Sequence, residues 1–328
     1  MKVAPRGANL EARARAGFFF IAVLCGLGGC VSLPQSDALR QSIPAGLPPR
    51  AELTEAQVPY HAQEDFLCGP ASLAMVFNAA GVPATVESLT PQVYLPGRQG
   101  SLQAEMLGAT RRAGLIAYPL APELEHVLRE VAAGNPVVVL LNLMLKIYPI
   151  WHYTVAVGYD LERGVLIFRS GRHVREERDI GFFEFQWQDS ERWSMLALPP
   201  GRVPATAREA DFAAAVAATE RLGRRREARA SFRALLARWP GSQPGLFGLG
   251  NVEYALGDIG AAEKAFRRAT ELHPQAAPAF NNLAYVLAVL GRFEEAEASA
   301  RTALALGGPT LAEAQKTLEA ILARSVRR

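Results

Sequence analysis

The residue best suited to covalent chemistry is Cys68, which lies between an irregular polar stretch and an apolar one. Gly69 and Pro70 follow it, and apolar residues then recur at the spacing of a helix. Proline is tolerated in a first helical turn, because its missing N–H would have no partner there. The pattern therefore predicts that a helix begins at Cys68, where free N–H groups and the positive helix end favour a thiolate over a thiol. Such a thiolate would attack an acyl carbon.

A thiolate nucleophile needs a base, and histidine is the most common one. The five histidines are His61, His126, His152, His173 and His273. His152 stands at the start of Trp151–Tyr159, whose alternating apolar residues are typical of a strand. His61 falls in a loop, whereas His126 and His273 fall on helices expected at the surface. Because a histidine at the start of a strand can face a cleft, His152 is the predicted base.

Apolar patterns along the chain predict the elements that position these two residues. Helices are expected at 101–113 and 122–133, and strands at 115–119, 137–142, 151–159, 165–168, 182–187 and 193–198. The later strands are expected to pair in one antiparallel sheet that ends at Pro199. Helices and an antiparallel sheet together indicate an α+β domain at residues 51–200.

A combination of short motifs resembles the bacteriocin-processing double-glycine peptidases, a family of the papain-like superfamily. The motifs are Gln63, Cys68-Gly69-Pro70-Ala71, Trp151-His152-Tyr153 and Val157-Gly158-Tyr159, and the resemblance runs from about Val58 to Leu198. It implies an α+β papain-like cysteine peptidase domain with Cys68 as nucleophile and His152 as general base and acid. It also implies that the side chain of Gln63 and the backbone N–H of Cys68 donate hydrogen bonds to the oxyanion.

The third member of the expected triad departs from that family, which places an aspartate at the end of the strand after the histidine strand. Here this strand reads Val165–Gly171, and Arg169 or Ser170 occupies the place of the carboxylate. The hydroxyl of Ser170 is expected to accept a hydrogen bond from Nδ1–H of His152. Asp160 is the other candidate, although its position favours capping of a hairpin turn.

The missing carboxylate leaves three interpretations of the domain. The first is a cysteine peptidase that works as a Cys–His dyad, with Ser170 as a weak orienting residue. The second is a catalytically silent domain that serves as a scaffold for protein partners. The third is a transglutaminase or amidase with the same dyad.

The N-terminal residues have the pattern of an export signal. Basic residues precede the apolar run Gly17–Gly29, and Leu27-Gly28-Gly29-Cys30 resembles the lipobox of bacterial lipoproteins. The resemblance implies a signal peptide at residues 1–29 and lipidation of Cys30. The prolines and glycines that follow indicate a flexible tether at residues 30–50. The lipobox resemblance also implies that the domains lie on the periplasmic side of a bacterial cell envelope, attached to a membrane. An uncleaved N-terminal anchor is the alternative.

The C-terminal third repeats with a fixed period. Gly223, Gly257 and Gly291 recur at intervals of 34 residues, and Ala228, Ala262 and Ala296 keep the same spacing. This period and these residue types resemble the tetratricopeptide repeat. Residues 205–328 are therefore expected to form an all-α solenoid of three repeats and a closing helix, whose groove binds a peptide or protein partner.

Composition excludes several other classes of function. Half of the residues are hydrophobic and the formal net charge is only +3, which describes a globular protein without a strong field for nucleic acid. No spacing of histidines and cysteines suggests a metal site, and no phosphate-binding loop is present, so no cofactor is expected. The sequence therefore predicts an envelope-anchored cysteine peptidase that hydrolyses a peptide or protein substrate and recruits it through the repeats.

Overall fold

The computed structural model of the protein describes residues 32–63 and 65–325. The chain from Gln35 onward belongs to one compact unit. The signal peptide and the lipidated Cys30 expected from the sequence lie outside the described residues. No helix within the described ranges is long and apolar enough to cross a membrane.

The first part of the compact unit contains a mixed set of helices and strands. The helices are α1 (Pro34–Gln41), α2 (Cys68–Ala79), α3 (Val86–Val93), α4 (Gln103–Arg112), α5 (Leu124–Ala132) and α6 (Ile180–Trp187). The strands are β1 (Arg50–Glu52), β2 (Ile116–Pro119), β3 (Val137–Asn142), β4 (Trp151–Asp160), β5 (Val165–Ser170), β6 (His173–Asp179) and β7 (Ser194–Leu198).

These strands form one antiparallel sheet in the spatial order β2-β7-β3-β4-β5-β6, and β1 pairs with the last part of β4. Because neighbouring strands run in opposite directions, the ends of β2, β3 and β5 lie at the same edge as the starts of β4, β6 and β7. We call this edge the site edge. It carries the candidate residues described below.

The sheet has a hydrophobic core on each face, because successive residues of a strand point to opposite sides. Val138 and Leu140 of β3 pack in the core that contains α2. Val137 and Val139 pack in the other core, which contains α5, α6 and the first helices of the repeats. The sequence-based expectation of an α+β domain with an antiparallel sheet is confirmed.

The segment 182–187 was expected to be a strand, and this expectation is wrong because the segment belongs to α6. The side chain of Asp179 caps this helix by accepting a hydrogen bond from the N–H of Phe182 at 2.9 Å. Phe183 and Trp187, four residues apart, stack on each other at 5.1 Å between ring centroids. A short, almost wholly apolar run has no alternation, so its period does not distinguish a strand from a buried helix.

The prolines and glycines of residues 35–49 suggested a flexible tether, whereas the structure shows this segment in contact with the domain. The buried carboxylate of Glu184 accepts hydrogen bonds from the N–H groups of Gln35 and Ser36, at 3.2 and 2.7 Å. Leu47 is buried in the core, and the hydroxyl of Tyr159 donates to the carbonyl of Pro48. This segment is therefore fixed on the domain, and a chain that starts at residue 32 contains every described element.

The second part of the unit is all-α. Its helices are α7 (Glu209–Glu220), α8 (Arg225–Arg238), α9 (Gln243–Ala255), α10 (Ile259–Leu272), α11 (Ala277–Val289), α12 (Phe293–Leu306) and α13 (Leu311–Ser325). They form three helix pairs and a closing helix, as the 34-residue period predicts. Gly223, Gly257 and Gly291 lie between the two helices of each pair with positive φ, and the alanines five residues later are fully buried.

The two parts share a core and a set of buried polar contacts. Phe212 of α7 packs edge-on against Tyr118 of β2, with 6.2 Å between ring centroids. The buried carboxylate of Glu130 accepts hydrogen bonds from the N–H and the hydroxyl of Thr206, at 2.7 and 2.6 Å. The first repeat is therefore an extension of the core of the sheet domain.

Candidate active site

Cys68 is the first residue of α2, as the sequence predicts. A Cβ atom on the neighbouring Gly69 would lie 2.3 Å from Oγ and 2.7 Å from Cβ of Ser101. Because the serine side chain is too short to move away, only glycine permits this contact. Gly69 therefore fixes the start of α2 against the segment before α4, and with it the position of the thiol.

The Cys68 thiol lies in a partly buried environment that contains backbone donors. Burial raises the pKa of the thiol, and hydrogen bonds from the N–H groups of Tyr153, Gly69 and Cys68 itself oppose this effect without cancelling it. The low thiol pKa expected from the helix end is therefore wrong for the free protein. Desolvation of the anion outweighs the donors of the helix terminus in this protein.

His152 is the second residue of β4 and pairs with Leu141 of β3 at the site edge. Nε2 of His152 lies 3.1 Å from Oγ of Ser170, at the end of β5. Ser170 is therefore the neighbour of the imidazole, as expected, but the contact involves Nε2 rather than Nδ1. Burial and the charge of Arg178 lower the pKa of His152 to about 4, although Glu176 opposes them, so the ring is neutral at pH 7.

A carboxylate that the sequence analysis did not identify forms a hydrogen bond with Ser170. Glu176 belongs to β6, and its place in the register is opposite Phe168 of β5. Burial raises the pKa of Glu176, but hydrogen bonds from Arg178 and Ser170 and the charge of Arg178 outweigh burial and hold the pKa below its usual range. The hydroxyl of Ser170 thus connects the imidazole of His152 to the carboxylate of Glu176 by hydrogen bonds.

The side chain of Gln63 is buried, with 7% of its surface exposed, and yet neither Oε1 nor Nε2 has a hydrogen-bond partner. Its backbone N–H donates to the carbonyl of Gly171 at 3.0 Å, which fixes the residue beside the turn that follows β5. Buried amides without partners are rare in folded proteins, and a catalytic role is one explanation for such a group. Gln63 lines the same cleft as Cys68 and His152.

The two other candidates for the orienting group have structural roles. The side chain of Asp160 accepts hydrogen bonds from the N–H groups of Glu162 and Arg163, each at 3.1 Å, and lies at the end of β4 remote from His152. The guanidinium of Arg169 donates to the carbonyl of Val174 at 2.7 Å. Neither side chain reaches the imidazole.

The cleft at the site edge has a volume of about 1030 Å³ and mixes polar and apolar walls. Ile150 and Trp151 form one part of its lining, and Phe66 and Leu102 form another. Phe66 has a φ of 66°, a left-handed conformation that is unusual for an aromatic residue and is a form of strain found at functional sites. Among the described residues, no group of three or more His, Cys, Asp or Glu side chains is placed to hold a metal ion.

The raised thiol pKa predicts how Cys68 reacts with iodoacetamide. Below its pKa the thiol is protonated and slow to react, so we expect a rate at pH 7 below that of free cysteine and an inflection above about 8.5. The measurement uses a chain that starts at residue 32, in which Cys68 is the single cysteine, and a Cys68→Ser blank. A rate that stays high down to pH 6 would instead indicate a stable thiolate–imidazolium pair.

Comparison with known proteins identifies both parts of the chain. The model of the Peptidase_C39 like family matches residues 55–195. A tetratricopeptide repeat model matches residues 218–259 and 247–309. A comparison with curated proteins finds no match.

Several solved structures are similar to part of the chain, among them the following two. The type III secretion translocator chaperone SycD of Yersinia enterocolitica is 20% identical, and the similarity covers 35% of this chain and 83% of that chain with a TM-score of 0.33. A mutant O-GlcNAc transferase of Thermobaculum terrenum is 28% identical over 36% of this chain and 23% of that chain, also with a TM-score of 0.33. From the two family models, the chain carries a Peptidase_C39-like domain at residues 55–195, followed by tetratricopeptide repeats at residues 218–309.

Proposed function

We propose that the chain is a cysteine peptidase that hydrolyses a peptide or protein by acyl transfer to Cys68. The observation that supports this most is the buried, unpartnered amide of Gln63 in the cleft that holds the thiol and the imidazole. A peptide carbonyl beside Cys68 becomes an oxyanion during attack, and Nε2 of Gln63 would then gain the acceptor that it lacks.

In this proposal His152 acts as the base for a thiol that is neutral at rest. With Nε2–H donating to Ser170, Nδ1 is unprotonated and takes the proton of Sγ as sulfur bonds to the carbonyl carbon. The tetrahedral oxyanion accepts hydrogen bonds from Nε2 of Gln63 and the N–H of Cys68. Its collapse breaks the C–N bond, and His152 returns the proton to the leaving amine. Water, activated by His152, then hydrolyses the thioester.

Glu176 is proposed as a positioning residue that acts through Ser170. Its negative charge opposes the effects that lower the pKa of His152, and it stabilises the imidazolium that forms during attack. We expect Glu176→Gln to lower kcat/KM roughly tenfold, the lower end of the loss caused by removing a group that orients a metal-ligating histidine. The acid limb of the pH profile should also move to lower pH, because removing the anion lowers the pKa of the imidazole.

The matched control is Glu177→Gln on the same strand. Glu177 pairs with Arg163 and Arg175 instead, at 2.5 and 2.6 Å. We expect this variant to keep both the rate and the pH profile. An equal loss in the two variants, with no movement of the acid limb, would mean that Glu176 only supports the structure of β6.

We further propose that a lipid on Cys30 holds the protein at the membrane of a bacterial cell envelope and that the repeats recruit its substrate. Support for recruitment comes from α9 and α11, where Nδ2 of Asn282 donates to Oδ1 of Asn251 at 3.0 Å. On the same helices, Tyr254 and Tyr285 pack edge-on at 5.5 Å, and Tyr285 stays exposed. Amides and an exposed aromatic ring suit recognition of an extended peptide.

A library of peptides of mixed sequence tests the proposed activity. The chain from residue 32 and its Cys68→Ala variant are incubated with the library, and the products are identified by mass spectrometry. Cleavage by the first protein alone, with an acyl-enzyme adduct on Cys68, supports the peptidase.

A second candidate is a domain that binds peptides without cleaving them, and it is favoured by the contact of the imidazole with a serine hydroxyl rather than with a carboxylate. Retention of the same peptides by both proteins, with no cleavage by either, would support that candidate and contradict the peptidase.

A further inference from the structure

The connection between β3 and β4 is the most exposed apolar segment at the site edge. We call this connection, together with Trp151 at the start of β4, the apolar loop (residues 143–151). Its apolar side chains are those of Leu143, Met144, Leu145, Ile147, Tyr148, Ile150 and Trp151. The exposed fraction rises from 37% at Leu143 to 76% at Ile147 and Tyr148, and falls to 47% at Trp151. The side chains in the middle of the loop are the most exposed, so the loop projects from the surface as a convex tip.

The base of the apolar loop is tightly bonded. The side chain of Asn142, which is buried, accepts hydrogen bonds from the N–H groups of Met144 and Ile150 at 3.1 and 3.0 Å. Its amide also donates to Asp189 at 2.9 Å. Within the loop, the N–H of Tyr148 donates to the carbonyl of Leu145 at 2.8 Å. The backbone therefore holds these side chains away from the core, in water.

We propose that the apolar loop inserts into the surface of a lipid bilayer. Soluble proteins rarely expose a contiguous apolar patch of this kind unless it binds something. A peptide ligand usually lies in a groove or adds to an exposed strand, whereas a convex apolar tip fits between lipid headgroups. Tyr148 and Trp151 belong to the residue types that are enriched at membrane interfaces. Lys146, the one charged residue of the loop, has a long stem and a cationic head suited to anionic headgroups.

The path of the chain supports the same orientation. Gln35 is fixed near the site edge, where its side chain donates to the carbonyl of Pro122 at 3.0 Å, shortly after the end of β2. Cys30 precedes Gln35 by five residues, which extend over at most roughly 17 Å. A lipid on Cys30 would therefore hold the site edge close to the bilayer. This step depends on the proposed lipidation, whereas the argument from the apolar loop does not.

Insertion of the apolar loop would place the catalytic cleft at the membrane surface, because Ile150 and Trp151 line the cleft and belong to the loop. Substrate bonds close to a bilayer would then be the ones within reach of Cys68. The proposal thus assigns membrane-proximal segments of proteins as the substrate class, and this assignment depends on the proposed peptidase activity.

The test is sedimentation of the chain from residue 32 with vesicles of phosphatidylcholine, with and without phosphatidylglycerol. We expect binding that increases with phosphatidylglycerol, and a loss of roughly tenfold or more in affinity for the double variant Ile147→Ser/Tyr148→Ser. Both positions are three-quarters exposed, so the fold should be unaffected. The matched control is Leu222→Ser/Leu290→Ser, which removes two exposed apolar side chains from the repeats and should bind as the parent does.

Sedimentation separates this proposal from the peptidase, because the measurement requires no catalysis. No binding of the parent chain to either vesicle, or equal binding by the parent and the loop variant, would overturn it. A loop variant that binds vesicles normally but has a raised KM for soluble peptides would assign the loop to peptide binding instead. Dimers of the parent that the loop variant lacks, without vesicle binding, would assign it to contact between copies of this chain.

Discussion

His152→Ala should lower kcat/KM by roughly 10³-fold, within the range of about 10² to 10⁴ that a general base contributes. The loss should be large because the Cys68 thiol is protonated at rest, so the imidazole must remove its proton during attack. Ser170→Ala should cost much less, roughly tenfold, because the serine only orients the ring through Nε2. The measurement is kcat/KM for one cleaved peptide across pH 5 to 9.

Two results would contradict this assignment of roles. Equal losses in His152→Ala and Ser170→Ala would show that the serine hydroxyl takes part in proton transfer rather than in orientation. An unchanged rate in His152→Ala would show that another group removes the proton of Cys68. Melting temperatures of both variants are the control, because each residue is partly or fully buried.

The elements of the site could be predicted wherever the sequence has a strong period or a restrictive residue. A helix begins at Cys68 because Pro70 suits its first turn, and His152 lies at the start of a strand because alternation is sustained through Tyr159. The repeats follow from a period that glycines and alanines mark three times. In each of these places the local preference and the final packing agree.

The part of the site that could not be predicted depends on contacts distant in sequence. Glu176 lies in a charged segment without apolar alternation. This segment forms β6 because it pairs with β5 across the turn at Gly171. The carboxylate of Glu176 reaches Ser170 only through the register of that pair. The two-residue turn Gly171-Arg172, directly after a predicted strand, was the available signal for this hairpin.

The prediction of a low pKa for the Cys68 thiol was wrong for a different reason. A helix terminus at Cys68 can be inferred from sequence, and so can its donors, but the extent of desolvation cannot. The backbone N–H of Tyr153 donates to the thiol, Cys68 packs against the core that contains Tyr153, and the burial of the thiol outweighs the donors. The direction of such a pKa shift depends on neighbours from β4, which a local pattern around Cys68 does not contain.

Gln63→Ala is expected to lower kcat roughly 10²- to 10³-fold, as loss of one oxyanion donor does, with little change in KM. Nε2 of Gln63 has no partner in the free protein, so its hydrogen bond would form only as negative charge develops on the substrate oxygen. The matched control is Gln103→Ala, a glutamine of the cleft wall at the start of α4, which should retain kcat.

Stability separates this catalytic role of Gln63 from a structural one. Because both polar atoms of the side chain are buried without partners, their removal should leave the free energy of unfolding unchanged or slightly higher. A clear fall in melting temperature, with losses of kcat and KM alike, would mean that Gln63 holds the cleft open rather than the oxyanion. A stable variant with a normal kcat would contradict the role of Gln63 as an oxyanion donor, and the N–H of Cys68 would then remain as the donor of the proposed mechanism.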